Sequence, residues 1–205
     1  MQRLGDIITE IEAEMDERDT VRELALKSTR TLTRLASTAI RGMHRGEDVA
    51  AAVQAAVDEV GQLRTVLGDH PDLFRSGLVE NALQEVAEAA IVQAIVRDRP
   101  LPAPREIGVT SAAYLLGLAD AVGELRRFAL DALRTGDLAR SQAHLETMEE
   151  VFDALLRFDY PTAVVAIKRK QDVARGLIER TRGEIAVAAR GLELERKLDA
   201  VSKRM

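Results

Sequence analysis

Prolines are scarce in this chain and unevenly placed: five in 205 residues, three of them inside RPLPAPREIGVTS, Arg99 to Ser111. Proline removes a backbone donor and blocks the preceding turn, so long proline-free windows are where helices can run. Ala, Leu, Glu and Arg fill those windows, and none shows the apolar–polar alternation of a strand. The chain is therefore predicted to be all-α, with about six or seven helices packed as a bundle. The first spans about Asp6 to His44, with Gly42 and Gly46 marking its end. At 1.5 Å per residue it is roughly 55–60 Å long, too long for a compact bundle helix unless it curves or supports an assembly. A second comes after Glu47 and Asp48, which suit its first turn, and stops at Gly68, Asp69, His70 and Pro71. The third starts at Pro71 with a bend expected at Gly77. Thr110 or Ser111 caps the fourth, which runs to about Arg134, and the fifth covers about Leu138 to Phe158. FDYP breaks it, with Pro161 at a first helical position, and a last helix runs from Thr162 to about Arg182, its continuation past Gly183 and Gly191 left open. The length suits one domain, taken as residues 1–205.

Composition removes several classes of function. The chain has no cysteine, hence no disulfide and no thiolate metal site. The N-terminus, MQRLGDIITEIEAEMDERD, is charged within six residues and has no apolar signal core, and no apolar run nears 18 residues. The expectation is a cytoplasmic protein without a membrane span. Aromatics are 3% with no Trp, so base stacking on aromatic platforms is not expected to dominate any nucleic-acid contact. The net charge of -5 says nothing about local patches.

The most apolar segments carry the strongest signal. NALQEVAEAAIVQAIV contains Glu85 and Glu88, three apart and so on one helix face. LLGLADAVGEL contains Asp120 and Glu124, four apart and one turn from each other. From Ser76 to Val96, and again from Glu106 to Leu125, there is no Lys or Arg. A helix apolar all round is a buried helix, and burying an unpaired carboxylate costs on the order of several kcal/mol. Three arrangements relieve that cost: a basic side chain arriving from elsewhere, protonation, or a divalent cation. Oxygen-only ligands select hard ions such as Mg²⁺ or Mn²⁺, which activate water and stabilise a phosphoryl transition state. A carboxylate-bridged di-iron bundle would need Glu-x-x-His on two helices, and neither pair supplies the histidine. The plain alternative, ion pairs with arginines of other helices, remains open at this point.

A second feature lies on the first helix. Lys27, Arg30, Arg34, Arg41 and Arg45 fall within an arc of about 60° at 3.6 residues per turn, opposite Leu24, Leu32, Leu35, Ala39 and Met43. Ser37 and Thr38 flank this basic stripe, which suits tracking a phosphate backbone. A solvated face paired with acids is the alternative. The cluster IKRKQDVAR, with Lys168, Arg169, Lys170 and Arg175, points several ways round a helix and carries less. Gly117 and Gly123 inside the fourth helix are read as close-packing positions, and HLETMEE lacks the second His of a zinc-protease motif.

These segments together resemble the translin superfamily, and more closely its Trax (translin-associated factor X) branch in short prokaryotic form. YLLGLADAVGELRRFALDAL resembles the signature helix, LQEVAEAAIVQAIV the QE-x-x-EA segment, KSTRTLT with IRGMHR the N-terminal helix, and YPTAVVAIKRKQDVARGLIERTRGEI the C-terminal helix. The resemblance runs from about Glu14 to Ile185 in the expected order. It implies an all-helical fold of about seven helices, assembled into closed, hollow oligomers, commonly octamers. It further implies single-stranded RNA as ligand, with single-stranded DNA as another, and a Mg²⁺-dependent (or Mn²⁺-dependent) endoribonuclease site. Glu85 and Glu88 stand at the positions of the QE-x-x-EA acids, Asp120 and Glu124 at those of the AD-x-x-GE acids. The resemblance accommodates two functions: a metal-dependent endoribonuclease inside a homo-oligomer, or an oligomer that binds single-stranded nucleic acid without cutting it. Trax of eukaryotes works beside a separate translin subunit; for this chain the resemblance leaves open whether one subunit supplies both roles or a partner subunit exists.

Overall fold

The computed structural model describes residues 2–202 and contains, among them, seven helices and no strand. They are α1 (Gln2–His44), α2 (Ala50–Val66), α3 (Pro71–Phe74), α4 (Gly77–Val96), α5 (Ser111–Arg134), α6 (Leu138–Leu156) and α7 (Ile167–Ser202). The all-α expectation holds. The chain divides inside α5 into two compact units, Met1–Gly117 and Leu118–Met205.

In the first unit α1 packs against α4 and α2. Its contact face is Ala25, Thr29, Leu32, Ala36, Ala39 and Met43, a row at helical spacing whose small members let the helices approach closely. Leu24, expected on that apolar side, is half-exposed. From residue 3 to residue 20 every position of α1 is exposed, including Leu4, Ile7, Ile8, Ile11 and Met15. α1 starts before the expected Asp6, so Gly5 lies within it. The α1–α2 turn closes on Gly46 at φ +73, the left-handed conformation glycine tolerates best. Glu47 and Asp48 precede α2 rather than forming its first turn, and Asp48 accepts from the Ala50 backbone N–H at 3.1 Å.

The expected bend at Gly77 is a full break between α3 and α4. Ser76 is extended there, ψ 148, and its hydroxyl donates to the Leu73 carbonyl at 2.6 Å. Ten residues of α4 are buried, among them Leu83, Val86, Ala87 and Ile91. Thr110 does cap α5, accepting from the Ala113 N–H at 3.0 Å while donating to Glu80 at 2.7 Å. A Cβ on Gly117 would come within 2.7 Å of the Gln84 carbonyl oxygen and 2.8 Å of the Glu88 nitrogen. Only glycine lets the start of α5 lie this close to the α4 backbone.

In the second unit α6 and α7 pack together, with Met148, Leu155, Ile167 and Ile178 fully or nearly buried. Asp137 caps α6 by accepting from the Arg140 N–H. Pro161 does not open α7: its carbonyl accepts from Val164 at 2.8 Å and Val165 at 3.2 Å, forming a turn, and α7 begins at Ile167. Buried Gln171 anchors that start by donating to the Leu155 and Phe158 carbonyls. Arg126 of α5 donates to Glu184 at 2.7 and 2.9 Å and to Thr181 at 2.7 Å on α7. No helix among the described residues is long and apolar enough to cross a membrane.

Candidate nucleic-acid interface and carboxylate pairs

A groove of about 570 Å³ runs between α1 and α4 in the first unit. From α1 it is lined by Thr29, Arg30, Thr33, Arg34, Ser37 and Arg41, and from α4 by Leu78, Asn81, Ala82 and Glu85. Both sets follow helical spacing, so each is one continuous edge of its helix. Arg41 stands seven residues beyond Arg34, whereas Arg30 and Arg34, and the hydroxyls of Thr29, Thr33 and Ser37, recur along the α1 edge at four-residue intervals. Each interval advances about 6 Å, close to the phosphate-to-phosphate repeat of a nucleic-acid strand.

The structure divides the predicted stripe. Arg30, Arg34 and Arg41 share the groove. Arg41 donates to Thr38 at 3.3 Å, and among the described residues none of the three makes an ion pair. Lys27 is exposed but does not line the groove. Arg45 lies outside it and is engaged by Glu47 through two hydrogen bonds of 2.5 and 2.9 Å. That pairing lowers the Glu47 carboxyl below its usual range, chiefly through the Arg45 hydrogen bond. An arginine already neutralised by its neighbour offers little to a phosphate.

All four predicted acids are half-buried rather than enclosed. The pattern of α4 and α5 marks both as core helices, but each acid sits at the edge of the buried arc, so its desolvation is smaller than full burial implies. Glu85 and Glu88 belong to the α4 turn against which Gly117 packs, and Glu85 also forms part of the groove wall. In the second unit the Asp120 and Glu124 side chains are 27% and 24% exposed. Lys170 of α7 donates to Asp120 Oδ1. Arg127 stands 3.9 Å from Glu124 on the same helix.

Among the described residues no three His, Cys, Asp or Glu side chains converge to hold an ion. Each pair nonetheless presents two carboxylates one turn apart, open to water on one side. An all-oxygen pair suits Mg²⁺ or Mn²⁺, which bind through one or two carboxylates and retain several waters. By the chemistry of the donor set, each pair fits such an ion.

Two groups carry more than their sequence pattern suggests. Lys170 belongs to a cluster pointing several ways, and only the packing of α7 selects it: Lys168 pairs with Asp159 at 2.7 Å and Arg175 lies 5.7 Å over the Phe152 ring. Thr29, Thr33 and Asn81 stand outside the predicted stripe, although the Thr29–Thr33–Ser37 spacing of four in KSTRTLTRLAS is visible beside the arginines. Of the two helical glycines only Gly117 is a close-packing position; a Cβ on Gly123 would meet nothing nearer than Leu177 Cδ1 at 3.9 Å.

Fold and site define an all-helical protein with a basic groove and two carboxylate pairs on its most apolar helices. The chain belongs to the Translin family: the family model matches residues 73–181, a span that holds all four acids and Lys170. An uncharacterised protein of Methanocaldococcus jannaschii is 32% identical over 188 residues, 90% of this chain and 83% of that protein. The crystal structure of AfC3PO is 31% identical, covers 90% of this chain and 97% of its own, and superposes with a TM-score of 0.83. A structure of an AfC3PO–duplex RNA complex is 30% identical over 90% of this chain and 97% of its own, with a TM-score of 0.71. The crystal structure of apo-NeC3PO covers 88% and 96%, with a TM-score of 0.79 at 18% identity, a likeness of fold alone.

Proposed function

We propose that this protein is a Trax-type, metal-dependent endoribonuclease that binds RNA in the α1–α4 groove and works as a cytoplasmic homo-oligomer. The observation that carries this reading is the shared groove, where Arg30, Arg34 and Arg41 stand in the same cavity as Glu85. Arg30, Arg34 and Arg41 hold the phosphate backbone, and Thr33, Ser37 and Asn81 add hydroxyl and amide donors to phosphate or ribose. Glu85 with Glu88, and Asp120 with Glu124, hold Mg²⁺ or Mn²⁺. When bound, that ion supplies Lewis-acid stabilisation of charge on the phosphoryl oxygens. A carboxylate of the set would take the proton of the water whose oxygen bonds to phosphorus, while the bond from phosphorus to the leaving ribose oxygen breaks and that oxygen takes a proton from solvent. The exposed apolar row Leu4, Ile7, Ile8, Ile11 and Met15 supports self-association, with the hollow octamer as the expected form. Single-stranded RNA is the expected substrate. The duplex RNA bound by AfC3PO makes a duplex the second substrate to try.

The second reading is an oligomer that binds RNA or single-stranded DNA without cutting. The Lys170–Asp120 contact favours it, because it gives one acid a structural partner. Labelled RNA, single-stranded and duplex, incubated with protein in Mg²⁺, Mn²⁺ or EDTA separates the two. Cleavage that needs metal and disappears in Glu88→Ala and Asp120→Ala while binding persists is the expected result. Binding with intact RNA under every condition would leave the non-catalytic oligomer.

A further inference from the structure

Lys170 and a divalent cation require the same carboxylate oxygens, and the surroundings of the lysine decide how they compete. The Lys170 backbone is fixed: its neighbour Gln171 is 5% exposed and donates to two carbonyls, at 2.7 Å to Leu155 and 2.9 Å to Phe158. The side chain is not enclosed in the same way. It is 32% exposed, and its ammonium sits on a carboxylate that is 27% exposed. Two other cations at the start of α7 have separate partners, Lys168 on Asp159 and Arg175 over Phe152. Lys170 is therefore the member of that cluster that this packing directs at Asp120, one turn from Glu124.

We infer that Lys170 is a positioning residue that competes with the cation for Asp120 and sets the affinity of the Asp120–Glu124 pair for it, an inference resting on the metal-dependent reading above. A carboxylate holding an ammonium cannot offer the same oxygens to a divalent ion, and the two like charges repel. Cation binding displaces the ammonium. The four-carbon stem lets it swing toward water at small cost while the anchored backbone keeps it nearby. Without the ion, Lys170 keeps Asp120 neutralised and ordered. With the ion, a free ammonium is left beside the carboxylates, where an RNA phosphate can accept its hydrogen bonds. The metal affinity of the pair is thus lower than two carboxylates alone would give.

The test is Mn²⁺ binding to the full chain without RNA, measured by calorimetry and by the loss of the free Mn²⁺ electron-spin signal. The proteins compared are wild type, Lys170→Gln, Lys170→Arg and Asp120→Asn. The expected result is binding about tenfold tighter in Lys170→Gln, the scale of one unit charge acting on a divalent ion across a solvent-exposed site. Lys170→Arg, which keeps the charge, stays near wild type, and Asp120→Asn loses the site. Circular-dichroism melting identifies any variant that has not folded, and Lys170→Met then replaces Lys170→Gln. Equal Mn²⁺ affinity in wild type and Lys170→Gln overturns the inference and leaves the metal-dependent nuclease standing. No Mn²⁺ binding by any of the proteins overturns both.

Discussion

The α1–α4 groove of the first unit and the α6–α7 side of the second place several of their cations in opposite ways. On α1, Arg30, Arg34 and Arg41 edge an open groove without ion pairs among the described residues. On α7, Lys168, Lys170 and Arg182 are matched with Asp159, Asp120 and Glu149, and Arg175 with an aromatic ring. A cation already matched to an acid has little left for a phosphate, because breaking the pair offsets what the new contact contributes. The difference teaches that a basic cluster indicates a binding surface only where the neighbouring helix withholds its acids. The α4 edge of the groove does this with Leu78, Asn81 and Ala82, and places an acid, Glu85, only at its end.

The largest test concerns the backbone approach that frames the first unit. Gly117→Val places side-chain atoms where Gln84 and Glu88 backbone atoms already lie, and a cost of about 3 kcal/mol in urea denaturation is expected. Gly123→Ala, six residues later in the second unit, is expected to be neutral or to stabilise by up to about 1 kcal/mol, since glycine is a poor helix former and space exists. Equal behaviour of the two variants would break the contrast. A smaller effect separates the open cations from the matched ones. Arg30→Ala with Arg34→Ala is expected to weaken RNA binding about 10- to 100-fold and to reduce the salt slope by about 2, read by fluorescence anisotropy at several ionic strengths. Lys168→Ala is expected to stay within about twofold. A Lys168→Ala loss as large as that of the arginine pair would move the interface to α7.

The smallest effect sharpens the description of the second unit. His144 Nε2 is buried without a hydrogen-bond partner among the described residues, and its ring lies 5.7 Å from that of Phe128. Burial, and secondarily Arg140, lowers its pKa below the usual 6.5. The unfolded chain therefore binds the proton more readily than the folded one. The resulting stability is fully present above about pH 6.5 and is lost as pH falls below it toward the folded value. Melting temperatures between pH 7.5 and 5.5 are expected to fall more steeply for wild type than for His144→Phe.

Much of the fold is legible in the sequence because helices announce themselves locally. The limits of α5 are written in Thr110 and the TGD stop, and the long first helix in an uninterrupted pattern. The start of α7 lies five residues beyond Thr162, because the Pro161 carbonyl is captured by Val164 and Val165 in a turn that no periodicity signals. Of the site, the four acids and the arginines are readable as faces of helices. The half-exposure of the acids is not, since it depends on which side of a buried helix its neighbours leave open. Arg45 joins the stripe by angle alone, and its engagement by Glu47 only two residues away depends on the turn after α1.

By itself, then, the sequence determined that this chain is helical, where most of its helices lie, and that two carboxylate pairs and a row of arginines each share a helix face. Those are properties of residues three and four apart, set by the 3.6-residue turn. Tertiary structure alone decided that Lys170 meets Asp120 across 50 residues, that Gly117 seats the start of α5 on the turn bearing Glu85 and Glu88, and which arginines remain open. Charge pairing and burial depend on which distant segments become neighbours, and no local spacing encodes that.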